Sequence, residues 1–422
     1  MNRLKIISWC FYDFGNSAFT TLVVTFIYST YFTKSIAENE IDGTFLWSNG
    51  IAISAIIVAL FSPLLGAIAD KAGYRKQLLV ITTLASILAT TLLFFPLEGQ
   101  VLFSLALFVI ANVNFELGSV FYNSYLPEIA NKEKIGRISG YGWGLGYCGG
   151  LICMLIAMLV FISPNDPWFG FSKDTGSNIR ATNLLVGIWF LLFSLPAIFF
   201  LDDNRVFERK NFFSLLSTSI EELKTTFNEI RNYKNTVRFL IARLIYNDGL
   251  ITIFAFGAVY AAGTFDFTFN EIMIFGIILN VAAGLGALTM GHLDDILGGK
   301  RTIQISLIGL MFATTLAVFT ESKSLFWLSG IIIGLFAGPN QSASRSFMGR
   351  LTPKGKINEF YGFFAFSGKF TSFLGPLILG LLTKYFSSQR MGVSVVFFFF
   401  FIGLILMSRV KEPKRLVDSK HN

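Results

Sequence analysis

The chain reads as an all-α membrane protein: twelve transmembrane helices in two six-helix bundles. Three observations predict this. Of its 422 residues 53% are hydrophobic and only 14% charged, with a mean hydropathy of +0.62, whereas soluble chains carry about a quarter charged residues. The apolar runs are about 20 residues long, the length that crosses a bilayer core. A short polar loop also occurs twice, half a chain apart.

The first apolar run covers 6–32. Arg3 and Lys5 precede it as in a secretory leader, but it contains Asp13 and lacks a small-residue cleavage site, so it reads as a retained span. Spans follow at 45–69, 78–96, 101–125, 138–163 and 181–201, then at 237–261, 270–291, 302–320, 324–347, 358–384 and 389–409. This partition gives an N-terminal bundle at 1–201, a linker at 202–236, a C-terminal bundle at 237–410 and a tail at 411–422. In the linker Leu216, Ile220, Leu223, Phe227 and Ile230 share one helical face, as in an amphipathic helix lying on the inner membrane surface.

Basic residues set the orientation. Of the 34 Lys and Arg, 25 fall on the side of the N-terminus, 6 on the opposite side and 3 inside spans. Positive residues stay inside, so both termini of this multi-pass protein are expected in the cytoplasm. The net charge of +8 is therefore a topology signal spread over loops and gives no nucleic-acid patch. Cys10, Cys148 and Cys153 lie in apolar runs without a CxxC pair, and there are only two histidines, so no disulfide framework, metal site or histidine catalyst is indicated. No ATP-binding motif is present and no cofactor is implied.

The repeated loop reads Gly66-Ala-Ile-Ala-Asp70-Lys-Ala-Gly73-Tyr-Arg75-Lys76 and Gly291-His-Leu-Asp-Asp295-Ile-Leu-Gly298-Gly-Lys300-Arg301, offset by 225. Its glycines permit a tight turn, its aspartates are placed to cap the adjoining helix, and its basic pairs to face an anionic leaflet. A second echo, 126–140 against 348–362, has an offset of 222, and Tyr12-Asp13 is matched by Tyr246-Asn247-Asp248. The loop resembles the one that joins helices 2 and 3, and 8 and 9, of major facilitator transporters, where it latches the two bundles together. That resemblance implies the major facilitator fold, with parallel half-repeats of six spans.

Six charged side chains lie well inside spans: Asp13, Glu116, Arg243, Asp248, Arg345 and Lys369. Unpaired, each costs about 2.5–3.5 kcal/mol at mid-bilayer, roughly 15–20 kcal/mol together, more than a typical net stability of about 5–15 kcal/mol. They must pair or face water, and three acids against three bases allow full compensation. Polar neighbours extend them at helical spacing: Asn16, Ser17 and Thr20 after Asp13; Asn112, Ser119 and Asn123 around Glu116; Gln341 one turn before Arg345. Glu116, Asp248 and Asn247 suit a wet pathway. Arg243 and Arg345 lie toward the inner ends, from which they could snorkel to the interface. Lys369 suits either an anionic solute or an acidic partner. In the fold that the resemblance implies, spans 1, 4, 7 and 10 line the central cavity, and five of the six charges are on them.

Gly144-x-Gly146-x-x-Gly149 in span 5 matches a dinucleotide fingerprint in form, but follows no strand; close helix packing is the better reading. Antiporters of the superfamily carry a glycine-proline signature on this span, and the proline is missing here. Phe397–Phe401 is expected to face lipid.

Four segments carry a closer resemblance: WCFYDFGNSAFTTLVVTF in span 1, YNSYLPEIA with GRISGYGWGLGYCGG in spans 4 and 5, RLIYNDGLITIFAFGAVYAAGTF in span 7, and SRSFMGRLTPKGKINEFYGFFAFSGKFTSFLGP in spans 10 and 11. They are similar to the "unknown major facilitator" branch, which includes the autophagy-associated vacuolar amino-acid effluxers of fungi. The resemblance implies export of amino acids or similar small solutes and, with the compact length, a bacterial-type member in the plasma membrane (the bacterial inner membrane). The buried carboxylates Asp13, Glu116 and Asp248 lead us to expect a monomeric secondary transporter working by alternating access with proton coupling. An uncoupled facilitator or importer remains open at this level. A distant alternative is an intramembrane aspartyl protease using Asp13 and Asp248, whose Gly-x-Gly-Asp signature is missing.

Overall fold

The computed structural model describes residues 2–203, 218, 220–221, 224–226 and 230–413. Among these residues the chain makes twelve helical passes: α1 (Arg3–Ala18, continued by π-helical turns Phe19–Phe26 and Phe32–Ile36), α2 (Glu40–Ala72), α3 (Arg75–Leu92), α4 (Val101–Ser124), α5 (Ile135–Ala157), α6 (Ser177–Phe200), α7 (Lys234–Phe265), α8 (Phe269–Leu297), α9 (Gly299–Phe319), α10 (Lys323–Leu351), α11 (Ile357–Lys369, resumed at Leu374–Phe386) and α12 (Gln389–Ser408). Nine are long and apolar enough to span a membrane by length and composition alone. The others are the interrupted first pass, α3 and the polar α10.

Helix starts follow local chemistry. The Asn39 side chain accepts from the amides of Ile41 and Asp42 at the head of α2, and Thr268 with Glu271 forms a capping box on α8. The α2–α3 turn needs Gly73, whose φ of 68° is left-handed. Of the linker helix expected through Leu216, Ile220, Leu223, Phe227 and Ile230, Leu216, Leu223 and Phe227 lie outside the described residues; Ile220 is helical and exposed.

The expected single span at 358–384 is broken. The pass stops at Lys369, turns through Phe370–Phe373 and resumes at Leu374. Pro376 sits in the first turn of the second half, where its missing N–H has no helical partner to lose. The phenylalanine run is also corrected in part: Phe398 and Phe401 are exposed, but Phe399 and Phe400 pack into the C-terminal core.

Aromatic clusters fill each bundle: Trp47, Phe32 and Phe108 in the N-terminal one, and Phe265, Phe275 and Phe326 in the C-terminal one. The bundles meet through small residues. Gly66 on α2 lies against the Asn358 backbone and Gly362 on α11 against Ser62; Gly140 on α5 lies against Ala287 and Gly291 on α8. A Cβ at Gly66, Gly140 or Gly362 would collide with main chain. The span 5 glycines serve both faces: Gly144 admits Leu288, while Gly146, Gly149 and Gly150 admit α1. These crossings lie on the side of the molecule that carries the α2–α3 and α8–α9 loops, here called the loop side.

Candidate functional site

On the loop side the two bundles are joined through helix ends. The first turn of a helix exposes backbone N–H groups with no partner inside it. Asp70, in the last turn of α2, accepts from the Glu359 amide at 2.8 Å and the Asn358 side chain at 3.0 Å, at the start of α11. Asp295, in the last turn of α8, accepts from the amides of Gly136 at 2.8 Å and Arg137 at 3.3 Å, and from Arg137 Nε at 2.6 Å, at the start of α5. Each aspartate thus caps a helix of the opposite bundle, and the expectation that it caps the adjoining helix is corrected.

The adjoining helices are capped by residues that the repeat does not contain. Asp203 accepts from the Lys76 amide at 2.8 Å on α3, and Glu412 from the Lys300 amide at 2.8 Å on α9. Asp203 and Glu412 follow the last spans of the two halves, so the arrangement is again twofold. Arg75 is buried, paired with Glu128 at 2.7 Å and Asp203 at 2.8 Å and stacked on Tyr125, and does not face a leaflet. Lys76 pairs with Asp202, and Lys300 donates to the Ser408 carbonyl at 2.8 Å; Arg301 is exposed. Asp294 escaped the sequence reading. It is buried beside Gly136, accepts from Arg350 at 2.5 Å and bonds the Ser346 hydroxyl. The Asp294-Asp295 doublet, with Arg350 in the SRSFMGR segment, was the available signal.

Between the bundles, four of the six membrane-embedded charges form two ion pairs, and both pairs cross the interface. Arg345 on α10 meets Asp13 on α1 at 2.8 Å, and Lys369 on α11 meets Glu116 on α4 at 2.6 Å. The snorkelling expected of Arg345 does not occur, because the N-terminal bundle covers it to 3% exposure. The Glu116–Lys369 pair is more open, with side chains 22% and 28% exposed. Lys369 is therefore the partner of an acid in this conformation.

The remaining two charges do not pair with each other. Arg243 does not snorkel either: it donates from Nη1 to the Phe364 carbonyl at 2.7 Å and to Ser367 Oγ at 2.8 Å, and lies over the Phe364 ring at 3.7 Å. Asp248 is 1% exposed; among the described residues its carboxylate accepts only from the Thr371 hydroxyl, at 3.2 Å, in the break of α11, and its Oδ2 has no hydrogen-bond partner. Asn247 donates to the Gly368 carbonyl at 3.0 Å. The break thus gathers Asp248, Asn247, Lys369 and exposed helix ends in one place, as in discontinuous spans that hold solutes.

The other expected residues are placed as follows. Asn123 accepts from Arg345 Nη1 at 3.3 Å, Gln341 accepts from Tyr147 at 3.4 Å across the bundles, and Asn16 accepts from Ser17 at 3.4 Å. Asn112 is buried on α4 one turn before Glu116. Asp13 and Asp248 have separate partners, so they form no carboxylate dyad of the kind a protease needs. Among the described residues no group of three or more His, Cys, Asp or Glu could hold a metal ion.

Two bundles joined by opposite-bundle caps, with charge pairs between them, are the arrangement of the major facilitator fold, a fold of transporters that carry small solutes across membranes. Residues 36–420 match the family described as "Vacuole effluxer Atg22 like", and the chain belongs to that family. It is 26% identical over 408 residues to an uncharacterized MFS-type transporter, YxiO, of Bacillus subtilis, covering 96% of this chain and 94% of that one. It is 27% identical over 307 residues to autophagy-related protein 22-1 of Aspergillus fumigatus; that match takes in 67% of this chain and 49% of the longer fungal protein. Among solved structures, a bacterial homologue of the iron transporter ferroportin in an outward-facing state superimposes with a TM-score of 0.72 at 14% identity, over 96% of this chain and 98% of that one.

Proposed function

We propose that this protein is a monomeric secondary transporter that moves amino acids or similar small organic solutes out of the cytoplasm by alternating access, driven by protons. The observation that carries the reading is the pair of cross-interface contacts, Asp13–Arg345 and Glu116–Lys369. Rocking of one bundle against the other must break them, and a carboxylate stripped of its cation in a low-dielectric interior must take up a proton or another cation. Asp248, at the break in α11, is the third candidate carrier. The latch loops Gly66–Lys76 and Gly291–Arg301 belong to the side that closes in this conformation.

The 25-to-6 asymmetry of Lys and Arg supports a plasma-membrane orientation with both termini cytoplasmic. The test is counterflow of a labelled amino-acid mixture in proteoliposomes, with and without an imposed pH gradient. Uptake that responds to the gradient supports coupled transport. Exchange that ignores pH assigns an uncoupled facilitator, and no flux with folded protein removes amino acids as cargo.

A further inference from the structure

Every group that Arg345 holds with its guanidinium belongs to the opposite bundle. Nη1 donates to Asp13 Oδ2 at 2.8 Å and to Asn123 Oδ1 at 3.3 Å; Nε donates to Ser139 Oγ at 3.0 Å; Nη2 donates to the Ser139 carbonyl at 2.7 Å. The rings of Trp9, Trp143 and Tyr122 surround it, with centroids 4.6, 5.5 and 5.9 Å from Cζ. Among the described residues these ring walls come from α1, α4 and α5.

This receptacle is pre-built. Trp9 Nε1 donates to the Tyr122 carbonyl at 3.0 Å, Tyr122 returns a bond to the Trp9 carbonyl at 2.9 Å, and the two rings stack at 4.7 Å. None of these contacts needs Arg345. Gly142 supplies the volume: a Cβ there would lie 2.6 Å from Asp13 Oδ2 and 2.7 Å from Arg345 Nη2. Acceptors along two edges of a planar fork, one of them a carboxylate, with aromatic faces around it, suit a guanidinium better than a compact ammonium.

We propose that this N-terminal receptacle is a guanidinium site for a transported solute, and that Arg345 is its displaceable internal occupant. The proposal rests on the alternating-access reading. When the bundles part on the loop side, Arg345 withdraws with α10 and leaves a buried carboxylate with three acceptors and no counter-charge. A solute guanidinium arriving from that side restores the same bonds; closure then returns Arg345 and expels it.

The experiment uses the full chain in lipid nanodiscs. Arg345→Ala should lower the unfolding temperature, and low-millimolar methylguanidinium should recover at least half of the loss, saturably. Methylammonium, which has the charge without the fork, should recover less, and matched NaCl nothing. The recovery should vanish in Arg345→Ala/Asp13→Asn. Recovery no greater than with NaCl, equal recovery with methylammonium, or recovery that survives the double substitution overturns the site. If Arg345→Ala does not fold, the wild-type protein is titrated with methylguanidinium by tryptophan fluorescence, since Trp9 and Trp143 form the walls. A saturable change lost in Asp13→Asn supports the site, and no saturable change overturns it. Amino-acid counterflow separates the two readings. Cation binding without amino-acid flux sinks the amino-acid reading and keeps the site; pH-driven amino-acid flux without cation binding does the reverse.

Discussion

Asp70 and Asp295 occupy equivalent places in the two halves, and each caps the first turn of a helix in the other half. The loop-side closure is therefore held by two symmetric caps, each joining opposite bundles. Loss of an N-cap costs about 0.5–2 kcal/mol, and distant sites add. Asp70→Ala or Asp295→Ala should each shift the equilibrium toward loop-side opening by about two- to thirty-fold, and the double variant by roughly the product. Spin-label distances between the loop-side ends of α2 and α11, and of α5 and α8, in nanodiscs measure this. Unchanged distance distributions in the double variant would remove the latch role.

The Glu116–Lys369 contact is half-open and joins α4 to α11 just before the break. Glu116→Gln and Lys369→Gln should each lower flux at least tenfold, whereas the exchange Glu116→Lys/Lys369→Glu should recover part of it. A double-mutant cycle on thermal stability should give a coupling of about 0.5–3 kcal/mol, as for contacting charges. A coupling near zero would mean that the pair is incidental to the closed form.

How much of this was legible beforehand depends on the range of the interaction. Apolar runs, which are local, placed the twelve passes, although three of them fall short by length and composition alone. The duplicated loop and the echo at an offset of 222 anticipated a twofold plan, and in the structure Gly140 and Gly362, equivalent in that echo, make the matching α5–α8 and α2–α11 crossings. Periodicity located all six embedded charges but not their partners, because Asp13 and Arg345 are 332 residues apart and only packing brings them together. The caps from Asp203 and Glu412 were hidden for the same reason: they come from the segments after α6 and α12, not from the loop they stabilise. The break in α11 had one signal, Gly375-Pro376, which reads as a helix start only once the preceding turn is known.

Asp248 separates a proton role from a structural one. Asparagine keeps an oxygen that can accept from Thr371 and barely changes the volume, so Asp248→Asn should alter stability by less than about 1.5 kcal/mol, the range of volume-conserving swaps. Flux driven by a pH gradient should nevertheless be abolished. Counterflow without a gradient should persist, since exchange needs no net proton movement. Undiminished gradient-driven flux in folded Asp248→Asn protein would exclude Asp248 as the carrier.

The glycine crossings give a steric test of the same closure. At Gly66 an added methyl would strike the Asn358 carbonyl, and at Gly140 the Ala287 carbonyl; both obstacles are main chain, which yields less than a side chain. Overpacking of this kind costs about 1–3 kcal/mol, and it acts only while the loop side is shut. Gly66→Ala and Gly140→Ala should therefore favour the loop-side-open form, seen as faster labelling of a single cysteine placed in the central cavity and approached from that side. Gly380, in the second half of α11, has nothing within 4 Å of its Cβ position. Gly380→Ala should leave labelling unchanged and gain about 0.5–1 kcal/mol of helix stability. If Gly380→Ala opened the protein as much as Gly66→Ala, helix stiffness and not the crossing would govern the closure.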